Sequence, residues 1–163
     1  MRIEQLMTTP PHWCRPEDTL ETAAQLLWEH DCGALPVCDG SDGSLQTVGV
    51  ITDRDICMCA LFQGQPLSQM RVADAMAPDV QVCRTGDSIN DAEGIMRQAR
   101  VRRLPVLNET GSLVGMISLA DLAREAMRIH SEPKRELTEA EVNDTLAAIC
   151  TPIASTRAAV QVM

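Results

Sequence analysis

Shifting the sequence against itself by 69 residues sets Arg2 on Arg71, Met7 on Met76, Cys14 on Cys83, Arg15 on Arg84 and Asp18 on Asp87. The same shift sets Ala23 on Ala92 and the triplet Leu35-Pro36-Val37 on Leu104-Pro105-Val106. Thr19 with Ser88, Leu20 with Ile89 and Leu27 with Met96 are conservative matches in between. Past the triplet the offset drops to 66, because the first copy carries three extra residues within "CDGSDGSLQTV". The correspondence resumes at Gly49 and Gly115. One offset held across so many positions marks a duplication, which restricts the chain to two copies of one small unit.

Each copy reads β-α-β-β-α. A short extended piece ("HWC", "VQVC") leads to a helix opened by "RPEDTLETAA" or "RTGDSINDAE". Asp18 or Thr19, and Asp87 or Ser88, are of the types that cap exposed helix N–H groups. Leu20, Ala23, Ala24 and Leu27 recur at helical spacing, as do Ile89, Ala92 and Met96. A strand follows, "ALPVCD" or "RLPVLN", with proline near its start where a missing N–H is tolerated. A turn containing Gly43 or Gly111 returns the chain into "TVGVIT" or "LVGMIS". The second helices start at Asp53 and Leu119. The expected fold is thus mixed α/β (α+β), with a first unit at 1–62, a polar linker at 63–70 and a second unit at 71–129. Two such units, packed face to face, would each bury an otherwise open sheet face.

Residues 130–163 form an extension outside the repeat. "SEPKRE" reads as a linker and "LTEAEVNDTLAAIC" as a short helix with a Thr138/Glu141 capping box and a Leu137/Val142 staple. Val142, Leu146 and Ile149 make one apolar stripe, so this helix needs something to lie against. The last stretch, "TPIASTRAAVQVM", shows no firm pattern.

Fourteen basic and 23 acidic residues give a formal charge of −9, so a polynucleotide partner, which needs a positive field, is not expected. A mononucleotide needs only a few local arginines. Trp13, Trp28 and Phe62 are the whole aromatic stock, so a base must be held by aliphatic side chains and backbone. Trp28 is expected to pack within a helix interface. "MRIEQLMTTP" lacks an apolar core of signal-peptide length, and no run reaches membrane-spanning length, which points to the cytoplasm and away from membranes. The seven cysteines would then be mostly reduced. They form no C-x-x-C pair, a zinc site is not expected from their spacing, and most of them read as small buried residues. Cys14 and Cys38 as a redox pair is a minor alternative. His12, His30 and His130 are scattered and suggest no catalytic triad.

With the duplication established, "DCGALPVCD" followed by "GVITDRDI", and "RVRRLPVLN" followed by "GMISLADL", resemble the two halves of a tandem CBS-domain pair, the Bateman module. The resemblance covers roughly residues 1–129 and is to the small stand-alone bacterial type. It implies two repeats related by a pseudo-twofold axis, two clefts between them and a homodimer. It also implies a non-catalytic regulatory protein that binds AMP, ADP, ATP or S-adenosylmethionine and signals to a protein partner. The rival is a ligand-free structural or interaction module working through its dimer surface and tail. A thiol redox enzyme is a third alternative, resting only on cysteine number.

Each copy carries glycine, two apolar residues, a hydroxyl, two spacers and aspartate. Thr52 with Asp55, and Ser118 with Asp121, have the spacing of a capping box at a strand-to-helix junction, and close packing would explain the glycines. By the resemblance, the same aspartates would hold a ribose, and the hydroxyls would contact sugar or phosphate. The base would lie against Cys32 and Ala34, or Val101 and Arg103. The two roles are compatible. Arg84, Arg100, Arg102 and Arg103 are candidate phosphate partners for the second copy, the alternative being a solvated basic face to which one or two of the four belong. The first copy has Arg54, flanked by Asp53 and Asp55. Arginine supply therefore favours the Ser118–Asp121 cleft, the fuller consensus favours Thr52–Asp55, and the sequence leaves both open.

Overall fold

The structure, a computed structural model, describes residues 1–40, 44–128 and 138–151. The first unit holds α1 (Leu20–Glu29), β1 (Ala34–Asp39), β2 (Gln46–Thr52) and α2 (Asp53–Gln63). The second holds β3 (Cys83–Arg84), α3 (Ile89–Ala99), β4 (Arg103–Leu107), β5 (Leu113–Ser118) and α4 (Leu119–Arg128). Helix α5 (Glu139–Cys150) follows. Gly43, Leu137, "SEPKRE" and residues 152–163 lie outside the described residues.

Local chemistry sets the boundaries. Thr19 caps α1 and Ser88 caps α3, their hydroxyls accepting from the N–H groups of Thr22 and Asp91. Asp18 and Asp87, the alternative caps, accept instead from the N–H groups of Arg15 and Arg84, each at 2.7 Å. Those bonds turn the chain as soon as each leading extended piece has begun. The pieces are therefore shorter than expected: β3 has two residues, and its counterpart is a single parallel bridge from Cys14 to Val37. β1 and β2 pair antiparallel from Ala34 opposite Thr52, and β4 and β5 from Arg103 opposite Ser118. Both ladders slip at the same place in the repeat, between Val37 and Cys38 and between Val106 and Leu107.

The units exchange their leading segments. Thr8 forms two backbone hydrogen bonds with Met116 on β5, of 2.8 and 3.1 Å, and Ala77 forms two with Val50 on β2, of 3.0 and 2.9 Å. Ile3 is fully buried in the core of the second unit, with Ile89, Met96, Leu104 and Ile117. Met70 and Val72 are buried in the core of the first, with Leu20, Leu35 and Ile51. Full burial of a side chain such as Ile3 is worth about 1.5–3 kcal/mol, so each unit draws part of its stability from a segment adjoining the other in sequence. The exchange also explains the motif glycines. A β-carbon on Gly49 would stand 2.6 Å from Met76 Sδ and 3.2 Å from the Ala77 carbonyl oxygen; on Gly115 it would stand 2.6 Å from Met7 Sδ and 3.0 Å from that of Thr8.

Helix α5 lies across α3 and α4, with Val142 buried in the second core. Its capping box is formed: Glu141 Oε2 accepts from the N–H and the hydroxyl of Thr138, each at 2.7 Å. Thr145, fully buried, donates to Glu93 Oε1 and accepts from Arg97. Under the 69-residue shift Glu93 and Arg97 correspond to Ala24 and Trp28. The first unit therefore lacks the polar anchor that seats α5. Its equivalent face is a groove of about 680 Å³ bordered by Ala24, Leu27, Trp28, Ile56, Cys57 and Ala60, and also by the charged Asp31, Asp53 and Arg103. Trp28 is 88% exposed there, which corrects its expected packing role, and Leu61 and Phe62 are exposed as well.

Candidate functional site

A cleft of about 340 Å³ opens between the two units. Its second-unit wall is the β5–α4 junction, with Met116, Ile117, Ser118 and Asp121; Arg103 reaches in from β4 and Arg124 from α4. The facing wall belongs to the first unit: His12 and His30, then Asp31, Cys32 and Ala34 where the chain enters β1. Thr8, on the exchanged segment, closes one side.

Ser118 ends β5 and starts α4, and the junction is a capping box. Asp121 Oδ2 accepts from the Ser118 N–H at 2.8 Å and the Ser118 hydroxyl at 2.6 Å, and the Asp121 N–H points back to Ser118 Oγ at 3.3 Å. The other oxygen, Oδ1, is paired with the exposed Arg124. Asp121 is buried and its charge is answered on both sides. An exposed arginine can swing from Oδ1, and that oxygen is then available to a hydroxyl-bearing ligand.

Arg103 links the two walls. Its Nη2 lies 3.1 Å from where a β-carbon on Gly33 would stand, so glycine at 33 leaves room for the guanidinium to cross. Burial pushes the Cys32 thiol above its ordinary value, an effect that the Ala34 N–H and the charge of Arg103 partly offset. His12 and His30 stack nearly parallel, ring centroids 3.4 Å apart and planes 6° from parallel. Burial, and next the neighbouring His30, hold His12 below its ordinary 6.5.

The structure thus brings Ser118, Asp121, Cys32, Ala34 and Arg103 to one cleft. Thr52 and Asp55 form the matching capping box, with 2.9 and 2.6 Å bonds into Asp55 Oδ2, but border none of the four cavities described. Arg54 is exposed on α2 beside Asp53, and Arg84 is exposed in the turn that Asp87 closes. Val101 packs on the second core instead of facing the cleft. Arg102 is exposed, accepts the Leu119 N–H through its carbonyl at 2.9 Å, and borders a separate cavity beside α5. Arg100 ends α3 in the left-handed region at φ 56°. Sequence reasoning missed Arg124 and the two histidines. Arg124 follows Asp121 at helical spacing and was findable; the contact between positions 12 and 30 leaves no periodic trace.

This doubled unit with a cleft walled by both copies is a tandem-repeat architecture. The CBS-domain model matches residues 3–60 and again 72–128, and the chain belongs to the CBS-domain family. It is 34% identical over 125 residues to the CBS domain-containing protein YhcV of Bacillus subtilis, spanning 77% of this chain and 85% of that protein. It is 34% identical over 137 residues to hypoxic response protein 1 of Mycobacterium tuberculosis, spanning 84% of this chain and 85% of that protein. A crystal structure of hypoxic response protein I with two coordinated zinc ions superposes with a TM-score of 0.66 at 33% identity, covering 76% of this chain and 98% of that one. CBSX2 in complex with AMP superposes with a TM-score of 0.66 at 29% identity, covering 78% and 97%. Among the described residues, no group of three or more His, Cys, Asp or Glu side chains is placed to hold a metal ion, and no helix is long and apolar enough to cross a membrane.

Proposed function

We propose that this protein is a non-catalytic regulatory CBS pair that binds an adenosine nucleotide, AMP, ADP, ATP or S-adenosylmethionine, in the cleft at Ser118 and Asp121. The carrying observation is the convergence on one cleft of a buried carboxylate, a hydroxyl and two arginines contributed around β4, β5 and α4. Aliphatic side chains and the Cys32–Ala34 backbone supply the wall for a base, as the shortage of aromatics requires. That CBSX2, of the same fold, is seen with AMP supports this ligand class. Because the cleft touches both units, occupancy biases their relative position, and a partner reads the shift. Calorimetry with the four ligands tests the reading: one of them should bind stoichiometrically, and heat-silent titrations at millimolar ligand would sink it.

The molecule acts as a homodimer joined through the α1–α2 groove. The supporting observation is internal: the equivalent face of the second unit is covered by a helix, whereas Trp28 and Phe62 stand exposed on the first. The same groove favours the second reading, an interaction module with no small ligand. Thiol chemistry has little support, since burial pushes Cys14 and Cys83 up to about 12, leaving almost no thiolate at neutral pH.

A further inference from the structure

We infer that His12 and His30 form an anion-recognising mouth to the Ser118–Asp121 cleft, selecting a phosphate-bearing nucleoside and taking up a proton when it binds; the nucleoside part of this rests on the function proposed above.

Three observations carry it. First, the two imidazoles stack at 3.4 Å on the first-unit wall, across the cleft from Ser118 and Asp121. Second, the remaining charges bordering the cleft cancel: Asp31 and Asp121 are opposed by Arg103 and Arg124, and Cys32 is a neutral thiol. The histidine pair alone therefore sets the sign of the cleft, neutral when both rings are neutral and positive when one is charged. Third, His12 is held below 6.5, by burial first and then by the His30 ring stacked on it.

A phosphate seated against the pair opposes that lowering. An anion stabilises imidazolium, so the bound state holds a proton that the free state has released near neutrality. By linkage, affinity for a phosphate-bearing ligand must rise as pH falls through the interval between the free and bound titrations. Affinity for a nucleoside without phosphate must not. The arrangement thus discriminates AMP from adenosine, and disfavours a cationic ligand such as S-adenosylmethionine at lower pH.

The test compares AMP with adenosine by calorimetry between pH 8 and pH 6, in the full chain and in the His12→Ala, His30→Ala double variant. The AMP-to-adenosine affinity ratio should rise about tenfold in the parent, the effect of one pKa unit, beyond any rise in the variant. The variant also removes AMP's own phosphate titration from the comparison. An equal pH dependence in both proteins overturns the inference. If neither ligand binds, AMP is excluded as the ligand of the proposed function, and the histidines are judged separately with pyrophosphate by following their ring C–H resonances against pH. A raised imidazole titration with pyrophosphate supports an anion mouth, and an unmoved one overturns it. The same spectra serve if the double variant does not fold.

Discussion

The sulfur of Met7 lies so close over Gly115 that a β-carbon there would stand 2.6 Å from it, and Met76 lies over Gly49 in the same way. The glycine that opens each repeated motif thus marks the place where the exchanged segment crosses the sheet.

Gly115→Ala should therefore destabilise the protein by about 1–3 kcal/mol, because the Thr8 carbonyl at 3.0 Å is backbone and cannot swing aside as the Met7 side chain can. Gly94, inside α3, has nothing within 4 Å of a new β-carbon, and Gly94→Ala should stabilise by up to about 1 kcal/mol from helix propensity. Thermal melts of the two variants should move in opposite directions.

Thr145→Val keeps the shape of the side chain while removing the hydroxyl that bridges Glu93 and Arg97. A buried carboxylate deprived of a donor costs about 1–3 kcal/mol. Amide exchange should speed up along α5 while β4 stays protected; uniform acceleration would mean that the bond supports the whole unit.

Asp121→Asn should weaken nucleotide binding tenfold or more, and Asp55→Asn should leave it unchanged, since only Asp121 borders the cleft. Each loses part of a cap worth about 1 kcal/mol, so their melting temperatures should fall by similar amounts. Calorimetry on the pair checks this, and the reverse pattern would move the site to Thr52.

Cys14 and Cys83 are acids whose folded pKa is raised, from an ordinary 9.0 to about 12, chiefly by burial. The folded protein keeps protons that the unfolded chain releases, so this contribution is full below pH 9 and is lost as pH climbs toward about 12. Unfolding midpoints should fall over that window. Replacing Cys14 with valine should flatten the fall. At pH 8, a thiol reagent should label the exposed Cys57 and Cys150 quickly and spare Cys14 and Cys83 until the chain unfolds.

If the proposed homodimer joins through the α1–α2 groove, Trp28→Glu should give a monomer in light scattering without lowering the melting temperature of the isolated chain, because Trp28 is exposed. An unchanged mass would remove the groove from the assembly.

Most of the fold was legible in the sequence because the repeat supplies two readings of every element. The first hairpin strand, read as "ALPVCD", is β1 residue for residue, and α2 and α4 start at Asp53 and Leu119 as their caps require. The stripe on α5 correctly demanded a partner surface, although Leu146 stays 44% exposed. What escaped was relational. The matches of Met7 to Met76 and Arg2 to Arg71 were visible, yet nothing in them says that each segment joins the opposite core. The arginines were read by proximity in sequence, yet of Arg102 and Arg103, which both border the cavity beside α5, only Arg103 also lines the cleft. Trp28 was read as a helix packing residue, and only the substitution of Glu93 and Arg97 by Ala24 and Trp28 explains why no helix among the described residues covers it.

With one of its two equivalent faces plugged by α5, the molecule has a valence of one. In the proposed homodimer such a body pairs with its twin about a twofold axis, and growth ends there. Shorn of α5 it would be sticky at both ends, and copies would add head to tail into an open-ended rod. On that proposal the extra helix is a chain terminator that holds the assembly at a pair.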